Sequence, residues 1–276
     1  MIKGCKVTNA LAISKLHTFF KRTYQKGYTF KGEYHDFFEV VCAIKGNVGI
    51  TSGKKIYELR EGELTVHTPG EFHAIREERG ENPTVIIFSF STLSFPSINE
   101  NVFTLSEESL NELKQIYQGV SECIEKEDEY NSWICSVVLG KEITLSMLIK
   151  RLELFLLTAF QNSVIEKNSD SLTHSEAFYN ILSVMEDNLN QALTVAQIAN
   201  LCKISVPTLE KTMNKYLGYG AIAHYNVMKM QKAKTLLLSG KSVKEVALSL
   251  GFSNQNYFSA RFKKHFGCSP SKIKLL

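Results

Sequence analysis

Four residues in the first third of the chain carry donor atoms that suit a divalent metal ion. They are Glu33, His35, Glu39 and His73. Imidazole nitrogens and carboxylate oxygens together bind first-row transition metals, and an open position at such a site would permit oxygenase or isomerase chemistry. The same side chains can instead line a pocket, with the histidines paired to Glu39 and no metal bound. The residue types alone leave both interpretations open.

The same part of the chain also offers groups that could recognise a small molecule. His67 and Arg76 can bind a carboxylate or sugar hydroxyls. Aromatic side chains can supply apolar or stacking walls, although alternation along a strand turns some of them outward. The expected effector pocket contains these polar and aromatic residues: His35, Phe38, Glu39, His67, His73, Arg76 and Phe88, with Tyr34 and Phe90 as further wall candidates.

An approximate repeat near the end of the chain indicates two helix-turn-helix units. Residues 194–205 and 242–253 align at an offset of 48 residues. Each copy opens with a capping box, in which a hydroxyl side chain and a Gln or Glu three residues later satisfy the first N–H groups of a helix. A short helix, a turn and a second helix follow, which is the helix-turn-helix arrangement. The units span about residues 195–216 and 243–266.

The turns of the two units are predicted to differ. Gly251 takes a positive φ without steric cost, whereas Lys203 at the equivalent position loses roughly 1 kcal/mol in that conformation. Ser205 and Ser253 are the predicted N-caps of the second helices. Apolar pairs four residues apart are expected to face inward: Leu209 with Met213, and Phe258 with Phe262.

Residues 28–90 read as short strands separated by turn residues, and they would position the polar groups named first. The predicted strands are Phe37–Ile44, Val48–Thr51, Lys55–Leu59, Leu64–His67 and Thr84–Phe90. Strands of this length and spacing indicate a small antiparallel barrel or sandwich.

Amphipathic helices follow the strands. A capping-box pattern, Thr104-x-x-Glu107, predicts a helix that continues to Ile124. A second helix is predicted from Lys141 to Gln161, and its wide apolar face could cover the barrel or form a dimer interface. In the C-terminal region, residues 221–239 read as one helix of roughly 28 Å at 1.5 Å per residue, which joins the two helix-turn-helix units.

Charge divides the chain of 276 residues unevenly. Residues 176–276 hold 13 Lys and Arg against 5 Asp and Glu, while residues 1–175 hold 19 against 23. A basic module beside a mildly acidic one is typical when only one of them meets a polyanion. We expect a sensor and dimerisation domain at residues 1–165, a polar linker at 166–175 and a DNA-binding domain at 176–276.

Composition excludes several classes of protein. No apolar run reaches the length of about 18 residues that a membrane span requires, and the N-terminus leads into no signal core. The six cysteines form no Cys-x-x-Cys pair, which excludes a zinc ribbon and does not favour a disulfide scaffold. We therefore expect a cytoplasmic protein with reduced thiols.

Residues 176–276 resemble the DNA-binding domain of the AraC/XylS family of bacterial transcription regulators. The matching residues of the second unit are Val246-Ala247, Gly251-Phe252-Ser253, Asn256-Tyr257-Phe258-Ser259, Phe262-Lys263-Lys264, Phe266-Gly267 and Ser269-Pro270-Ser271. In that family both units dock in adjacent major grooves. The resemblance implies a two-domain α+β protein that binds double-stranded DNA as a homodimer, recruits RNA polymerase and more often activates than represses transcription.

The resemblance also implies which side chains face DNA. In the first unit these are Pro207, Thr208, Glu210, Lys211 and Asn214; in the second they are Asn254, Gln255, Asn256, Ser259 and Ala260. Gln255 or Asn256 can pair with adenine, Lys211 can donate to guanine or phosphate, and Glu210 can accept only from cytosine. Lysines that position the protein on phosphates are expected to be Lys263 and Lys264, with Lys215 and Lys244.

A second resemblance covers the N-terminal strands. The motifs His35-x-x-x-Glu39-x6-Gly46 and Gly62-x5-Thr68-Pro69-Gly70-x-x-His73 resemble the two motifs of cupin barrels, with Glu33 where a metal cupin has its first histidine. Many regulators of the family use such a barrel as a sensor without metal. We therefore expect a cupin-like sensor for an unidentified small molecule, with no metal, cofactor or catalytic residue. The alternatives are a metal-dependent cupin enzyme with an accessory helical domain and a helical adaptor that binds no DNA.

Overall fold

Strands predominate in the first part of the chain and helices in the second, as the sequence predicts. The structure is a computed structural model that describes residues 9–98, 100–127, 132–162 and 176–273. It divides into two compact units, Met1–Thr173 and His174–Leu276. The predicted linker, residues 166–175, lies outside the described residues.

Antiparallel sheets form the first unit. Its strands are β1 (Ile13–Thr23), β2 (Phe38–Lys45), β3 (Val48–Ser52), β4 (Lys55–Leu59), β5 (Glu63–His67), β6 (His73–Arg76), β7 (Thr84–Thr92), β8 (Val102–Thr104), β9 (Ile124–Lys126) and β10 (Ile134–Val137). A five-stranded sheet has the order β1-β7-β2-β5-β8 and a three-stranded sheet the order β4-β3-β6, while β9 pairs with β10. Over the described residues, the ladders leave the cupin-like sandwich open rather than closing it into one barrel.

The five-stranded sheet is apolar on both faces because alternate residues of its strands point in opposite directions. In β2, Val40 and Cys42 pack on one face, whereas Val41 and Ala43 pack on the other. The second face lies against apolar residues of the three-stranded sheet, such as Ile50 of β3. Adjacent residues of one strand therefore belong to two separate hydrophobic clusters.

Two helices cover the outer face of the five-stranded sheet. They are α1 (Glu107–Ser121) and α2 (Glu142–Asn162). Leu113 and Ile116 of α1 and Phe155 of α2 are buried in the same cluster as Val40, which confirms that α2 packs on the sheet. On its far side, α2 exposes large apolar side chains: Ile143 at 79%, Met147 at 66% and Leu154 at 62%.

The strand predictions are confirmed for β2, β3, β4, β5 and β7, whereas β1, β6, β8, β9 and β10 were not predicted. The longest strand, β1, precedes the region in which strands were predicted, and it pairs with β7 from Ile13 to Thr23. Two details of α1 were wrong. Its N-cap is Ser106, whose side chain accepts from the Ser109 N–H, and Thr104 ends β8. Ile124 belongs to β9 rather than to the helix.

Helices form the second unit. They are α3 (Glu176–Asp187), α4 (Val195–Leu201), α5 (Val206–Leu217), α6 (Ala221–Leu238), α7 (Val243–Ser249) and α8 (Gln255–Phe266). The helix pairs α4–α5 and α7–α8 are the two helix-turn-helix units, and α6 joins them. Across the described part of the chain, no helix has a stretch both long and apolar enough to cross a membrane.

The local predictions for the two units are largely confirmed. Both capping boxes form, at Thr194 with Gln197 and at Ser242 with Glu245. Lys203 has a φ of +56°. The predicted inward pairs are fully buried: Leu209, Met213, Phe258 and Phe262.

The N-cap of α8 is Asn254 rather than the predicted Ser253. The 48-residue offset of the repeat holds up to the turn and becomes 49 at the caps of the second helices, so the second turn is one residue longer.

Candidate DNA-binding surface and effector cavity

Helix α5 presents a polar face to solvent in the first helix-turn-helix unit. Its N-cap is Ser205, whose hydroxyl accepts from the Thr208 N–H at 3.2 Å, and Pro207 lies in the first turn where no N–H is needed. The predicted residues that are exposed on this helix are Pro207, Thr208, Lys211 and Asn214. Because buried Leu209 and Met213 fix the opposite face, these side chains point away from the core.

Glu210 differs from its neighbours because its carboxylate turns back toward the protein. The side chain is half-buried, and Oε2 accepts from the Ala221 N–H at the start of α6 at 3.2 Å. A carboxylate at a helix N-terminus satisfies an unpaired N–H and interacts favourably with the helix dipole. Glu210 therefore connects the first helix-turn-helix unit to α6. Because its carboxylate is bonded there, Glu210 is not among the residues that we expect to contact bases.

Helix α8 presents the corresponding face of the second unit. The side-chain oxygen of Asn254 accepts from the N–H groups of Asn256 and Tyr257, at 2.7 and 3.2 Å, and so caps the helix. Gln255 and Asn256 are exposed beside this cap, and Ser259 is half-buried. The amides of the first turn therefore lie at the end of the helix that enters the major groove in helix-turn-helix proteins.

The last turn of α8 is basic. Lys263 and Lys264 are exposed there. Lys215 and Lys244, on α5 and α7, are exposed as well. Phosphate contacts need such flexible, solvated ammonium groups, which carry no information about base sequence.

Lys229 of α6 is buried and contacts the backbone beside both helix-turn-helix units. It is 4% exposed, and its ammonium donates to the carbonyl of Leu250 at 2.9 Å and to that of Gln191. Gln191 precedes α4, and Leu250 ends α7. Burial lowers the pKa of Lys229 to about 8. The buried ammonium of Lys229 thus links the segment before the first helix-turn-helix unit to the turn of the second helix-turn-helix unit.

A cavity of about 790 Å³ lies within the N-terminal compact unit, Met1–Thr173. Aromatic and aliphatic residues supply much of its wall: Phe20, Tyr24, Tyr28, Phe30, Phe37, Val41, Ile50, Ala74, Ile75, Ile87 and Trp133. Polar lining residues are Thr18, Arg22, Thr23, Glu33, Glu39, His67, His73, Ser89 and Ser132. An apolar and aromatic wall that also carries polar groups suits a small organic molecule.

The cavity contains three of the seven residues predicted for the effector pocket, namely Glu39, His67 and His73. Phe38 and Phe88 were assigned to the wrong face of the sheet: both pack in the cluster beneath α1 and α2. Their strand neighbours Glu39, Ile87 and Ser89 point into the cavity instead, as alternation requires.

Arg76 and His35 lie near the cavity without lining it. Arg76 is buried and donates from Nε to Glu78 at 2.6 Å and from Nη1 to Thr51 at 3.0 Å. This pairing makes it a support of the three-stranded sheet rather than a group that faces a ligand. His35 stacks on Phe37, a lining residue, with ring centroids 3.8 Å apart.

Glu33, His35, Glu39 and His73, the four residues with metal-binding donor atoms in the sequence, lie together in the structure. We call them the donor cluster. One ligand atom from each lies within 4.8 Å of the others. Burial alone would raise the pKa of the Glu39 carboxyl, but the neighbouring imidazoles outweigh it and hold that pKa well below its usual range. Burial likewise opposes the charged form of His73, yet Glu39 and Glu33 together raise the pKa of His73 to about 10.

Sequence reasoning missed the contribution of β1 to the cavity. Thr18, Phe20 and Arg22 all line it, and they alternate along the strand. The period of two was the available signal, but charged and polar residues interrupt the apolar pattern of this edge strand. Trp133 was missed because it lies far along the chain; it contacts Phe37 edge-on at 5.9 Å.

Comparison with known proteins gives the same division of the chain. A family model described as an AraC-like ligand binding domain matches residues 18–127, and one described as a helix-turn-helix domain matches residues 189–274. The transcriptional activator RhaS of Escherichia fergusonii is 24% identical over 89% of this chain and 87% of its own length. The virulence regulon activator VirF of Yersinia enterocolitica is 30% identical over 33% of this chain and 34% of its own.

Solved structures also match this chain. An AraC-type regulator from Chromobacterium violaceum covers 36% of this chain and 90% of its own, with 28% identity and a TM-score of 0.34. ToxT from Vibrio cholerae covers 94% of this chain and 96% of its own, with 15% identity and a TM-score of 0.38. The chain thus matches an AraC-like ligand binding domain followed by a helix-turn-helix domain, and over most of its length it is similar to a transcriptional activator.

Proposed function

We propose that this protein binds double-stranded DNA through both helix-turn-helix units and regulates transcription in response to a small molecule held in the N-terminal cavity. The observation that carries the proposal is the pairing of α5 and α8. Each second helix is capped at its start, buries an apolar pair and turns polar or basic side chains outward. The helix that joins the units, α6, has 18 residues, or roughly 27 Å at 1.5 Å per residue, which is near the ~34 Å turn of B-DNA.

Base reading is assigned to the exposed polar residues near the start of α5 and α8. We propose that Lys211, Gln255 and Asn256 contact bases, with Pro207, Thr208, Asn214, Asn254 and Ser259 beside them. Lys263 and Lys264, with Lys215 and Lys244, contact phosphates. All of these side chains except the half-buried Ser259 are exposed, which supports the assignment.

The remaining properties are extensions of the family resemblance. We propose that the protein acts in the cytoplasm as a homodimer, through the exposed apolar side of α2, and that it activates transcription with RNA polymerase. Ile143, Met147 and Leu154 supply the apolar side chains of that interface. The enzyme alternative is supported only by the donor cluster, whereas the matched relatives are regulators.

Recovery of genomic fragments bound by the full chain, followed by footprinting, tests the proposal. We expect two protected major grooves on one face of the duplex for each protomer, and binding that weakens steeply with salt because phosphate contacts release counterions. Lys211→Ala or Gln255→Ala should reduce discrimination among sequences, whereas Lys263→Ala should weaken binding to all of them similarly. A single protected groove, or binding insensitive to salt, would contradict the proposal.

Tryptophan fluorescence can report effector binding. The chain contains one tryptophan, Trp133, and it lines the cavity. Titration with small carboxylates, sugars and amines should change its fluorescence saturably for a true effector. Val41→Phe, which fills the cavity, should abolish that response while DNA binding persists.

A further inference from the structure

The donor cluster brings two imidazoles and two carboxylates to one point. Nε2 of His73 lies 3.3 Å from Glu39 Oε1 and 3.9 Å from Glu33 Oε1, and Nε2 of His35 lies 3.8 Å from Glu39 Oε2. Charge-assisted hydrogen bonds are shorter, at about 2.7–2.9 Å. The spacing is therefore wide for charge-assisted hydrogen bonds.

Backbone carbonyls determine which ring nitrogen of each histidine faces the cluster. Nδ1 of His35 is 2.9 Å from the Phe37 carbonyl, and Nδ1 of His73 is 3.1 Å from the Glu71 carbonyl. Since a carbonyl only accepts, both Nδ1 atoms must carry a proton and donate it. When Nε2 of each ring is deprotonated, as metal binding requires, its lone pair faces the cluster. Proteins orient histidines that bind a metal in this way.

Both Nε2 atoms are buried without a hydrogen-bond partner. Leaving a buried polar atom unsatisfied is unfavourable, so such atoms are rare and call for a ligand or a bound ion. The two nitrogens come from different segments of the chain, and they lie 3.8 and 3.3 Å from the carboxylate oxygens of Glu39. This observation is independent of the acidic residues and points to an ion bound between them.

We propose that the donor cluster binds one divalent first-row transition-metal ion. Two nitrogen and two oxygen donors suit zinc, nickel, cobalt or iron, whereas calcium and magnesium prefer oxygen ligands alone. Bonds of about 2.0–2.2 Å place the ligands of a tetrahedral ion roughly 3.3–3.5 Å apart, and the shortest separations in the cluster are already close to that.

The ion would lie on the cavity wall. Glu33, Glu39 and His73 all line the cavity. An ion with octahedral preference would keep two positions beyond the four protein ligands, and oxygen donors of a small molecule could occupy them. The site thus extends the proposed function by making the sensor responsive to a metal, or to an organic molecule that chelates one. The metal site itself does not depend on DNA binding.

Cobalt(II) is the probe for the test. The full chain, purified with a chelator and freed of any affinity tag, is titrated with Co²⁺ alone and then with Zn²⁺ as a competitor. We expect saturation at one ion per chain, with visible d–d absorption that Zn²⁺ removes. Because Trp133 contacts Phe37, which stacks on His35, paramagnetic Co²⁺ should also quench its fluorescence.

Variants decide whether the cluster is responsible. His35→Gln and Glu39→Gln should weaken binding by about 100-fold or more, since even changes to residues that only orient ligands cost about 10–100-fold. Glu33→Gln, at a side chain that is 49% exposed, provides a variant that folds and should lose at least about tenfold. His265→Gln removes an exposed histidine of the C-terminal compact unit and should leave metal binding unchanged.

Two results would overturn the proposal. One is the absence of stoichiometric Co²⁺ and Zn²⁺ binding by the folded wild-type chain, which would make the cluster a buried His–Glu pair. The other is binding that survives unchanged in Glu33→Gln and in the folded member of the other two variants. DNA binding is measured on the same samples, so failure of the metal site and failure of the proposed function are separate outcomes.

Discussion

The two helix-turn-helix units have the same backbone plan and different surface chemistry. Both second helices bury two apolar residues four apart and end at a glycine in the left-handed region, Gly218 or Gly267. At positions that match with an offset of 49, Asn214 of α5 corresponds to Lys263 of α8, and Glu210 corresponds to Ser259. The buried core of the motif therefore permits the two exposed faces to carry different side chains at equivalent positions.

The units also differ in how they attach to their surroundings. Glu210 bonds α5 to the start of α6, whereas the turn of the second unit packs directly on the backbone near Asn190. That turn contains Gly251 and is one residue longer than the first, whose equivalent residue is Lys203. The first unit is thus attached through a side chain and the second through close backbone contact.

The largest expected effect comes from Gly251→Ala. Gly251 has a φ of +70°, and an added Cβ would overlap the carbonyl of Asn190. The left-handed conformation and the overlap together should lower the free energy of unfolding of the second unit by about 2–5 kcal/mol. Denaturant unfolding followed by hydrogen exchange across α7 and α8 measures the loss. A change below about 0.5 kcal/mol would show that the backbone contact is not needed.

A smaller effect on DNA binding separates the two exposed faces. Lys263→Ala should weaken binding to every sequence several-fold and reduce the salt slope by about 0.9, the value for one phosphate contact. Asn214→Ala, at the equivalent position of α5, should leave the slope unchanged because no charge is lost. Binding isotherms at several salt concentrations test both. Equal slopes for the two variants would contradict the assignment of Lys263 to a phosphate.

Glu210→Ala tests the side-chain attachment of the first unit. Loss of the cap at the Ala221 N–H should cost about 1 kcal/mol and increase hydrogen exchange in the first turn of α6. Ser259→Ala, its counterpart in the second unit, should change stability by less than about 0.5 kcal/mol. If the two substitutions have the same effect, Glu210 does not link the elements as described.

The smallest effect is a gain. Lys203→Gly should stabilise the first unit by about 0.5–1 kcal/mol, because glycine adopts the φ of +56° without the penalty of a side chain. Thermal unfolding of the full chain, with hydrogen exchange to locate the change in α4 and α5, measures it. A destabilised Lys203→Gly variant would mean that the two turns are equally relaxed with their own residues.

Local patterns predicted the elements that depend on residues near one another. The capping boxes and the inward pair of α8 follow from spacings of four residues or fewer. The positive φ of Lys203 follows from its alignment with Gly251 in the repeat. Contacts between distant segments were not predictable in this way. The bond from Glu210 to Ala221 requires the angle between α5 and α6, and the one-residue shift from Ser253 to Asn254 requires the length of the second turn.

The cavity was only half predictable for a related reason. Alternation shows that Phe38 and Glu39 face opposite sides of β2, but it does not say which side meets the helices and which meets the other sheet. That choice depends on the packing of α1 and α2. The motif of His35, Glu39 and His73 was recognisable because its spacing resembles that of the two cupin motifs, whereas β1 carries no such motif.

Alternation along β2 and β7 also has a practical consequence for engineering. Substitutions at residues 39, 41, 87 and 89 would reshape the cavity, while those at 40, 42, 86 and 88 would alter the seat of α1 and α2. A library that varies only the first set can search for new inducers without loosening the helical cover. The ligand specificity of the cavity can therefore be altered separately from the packing of the helices.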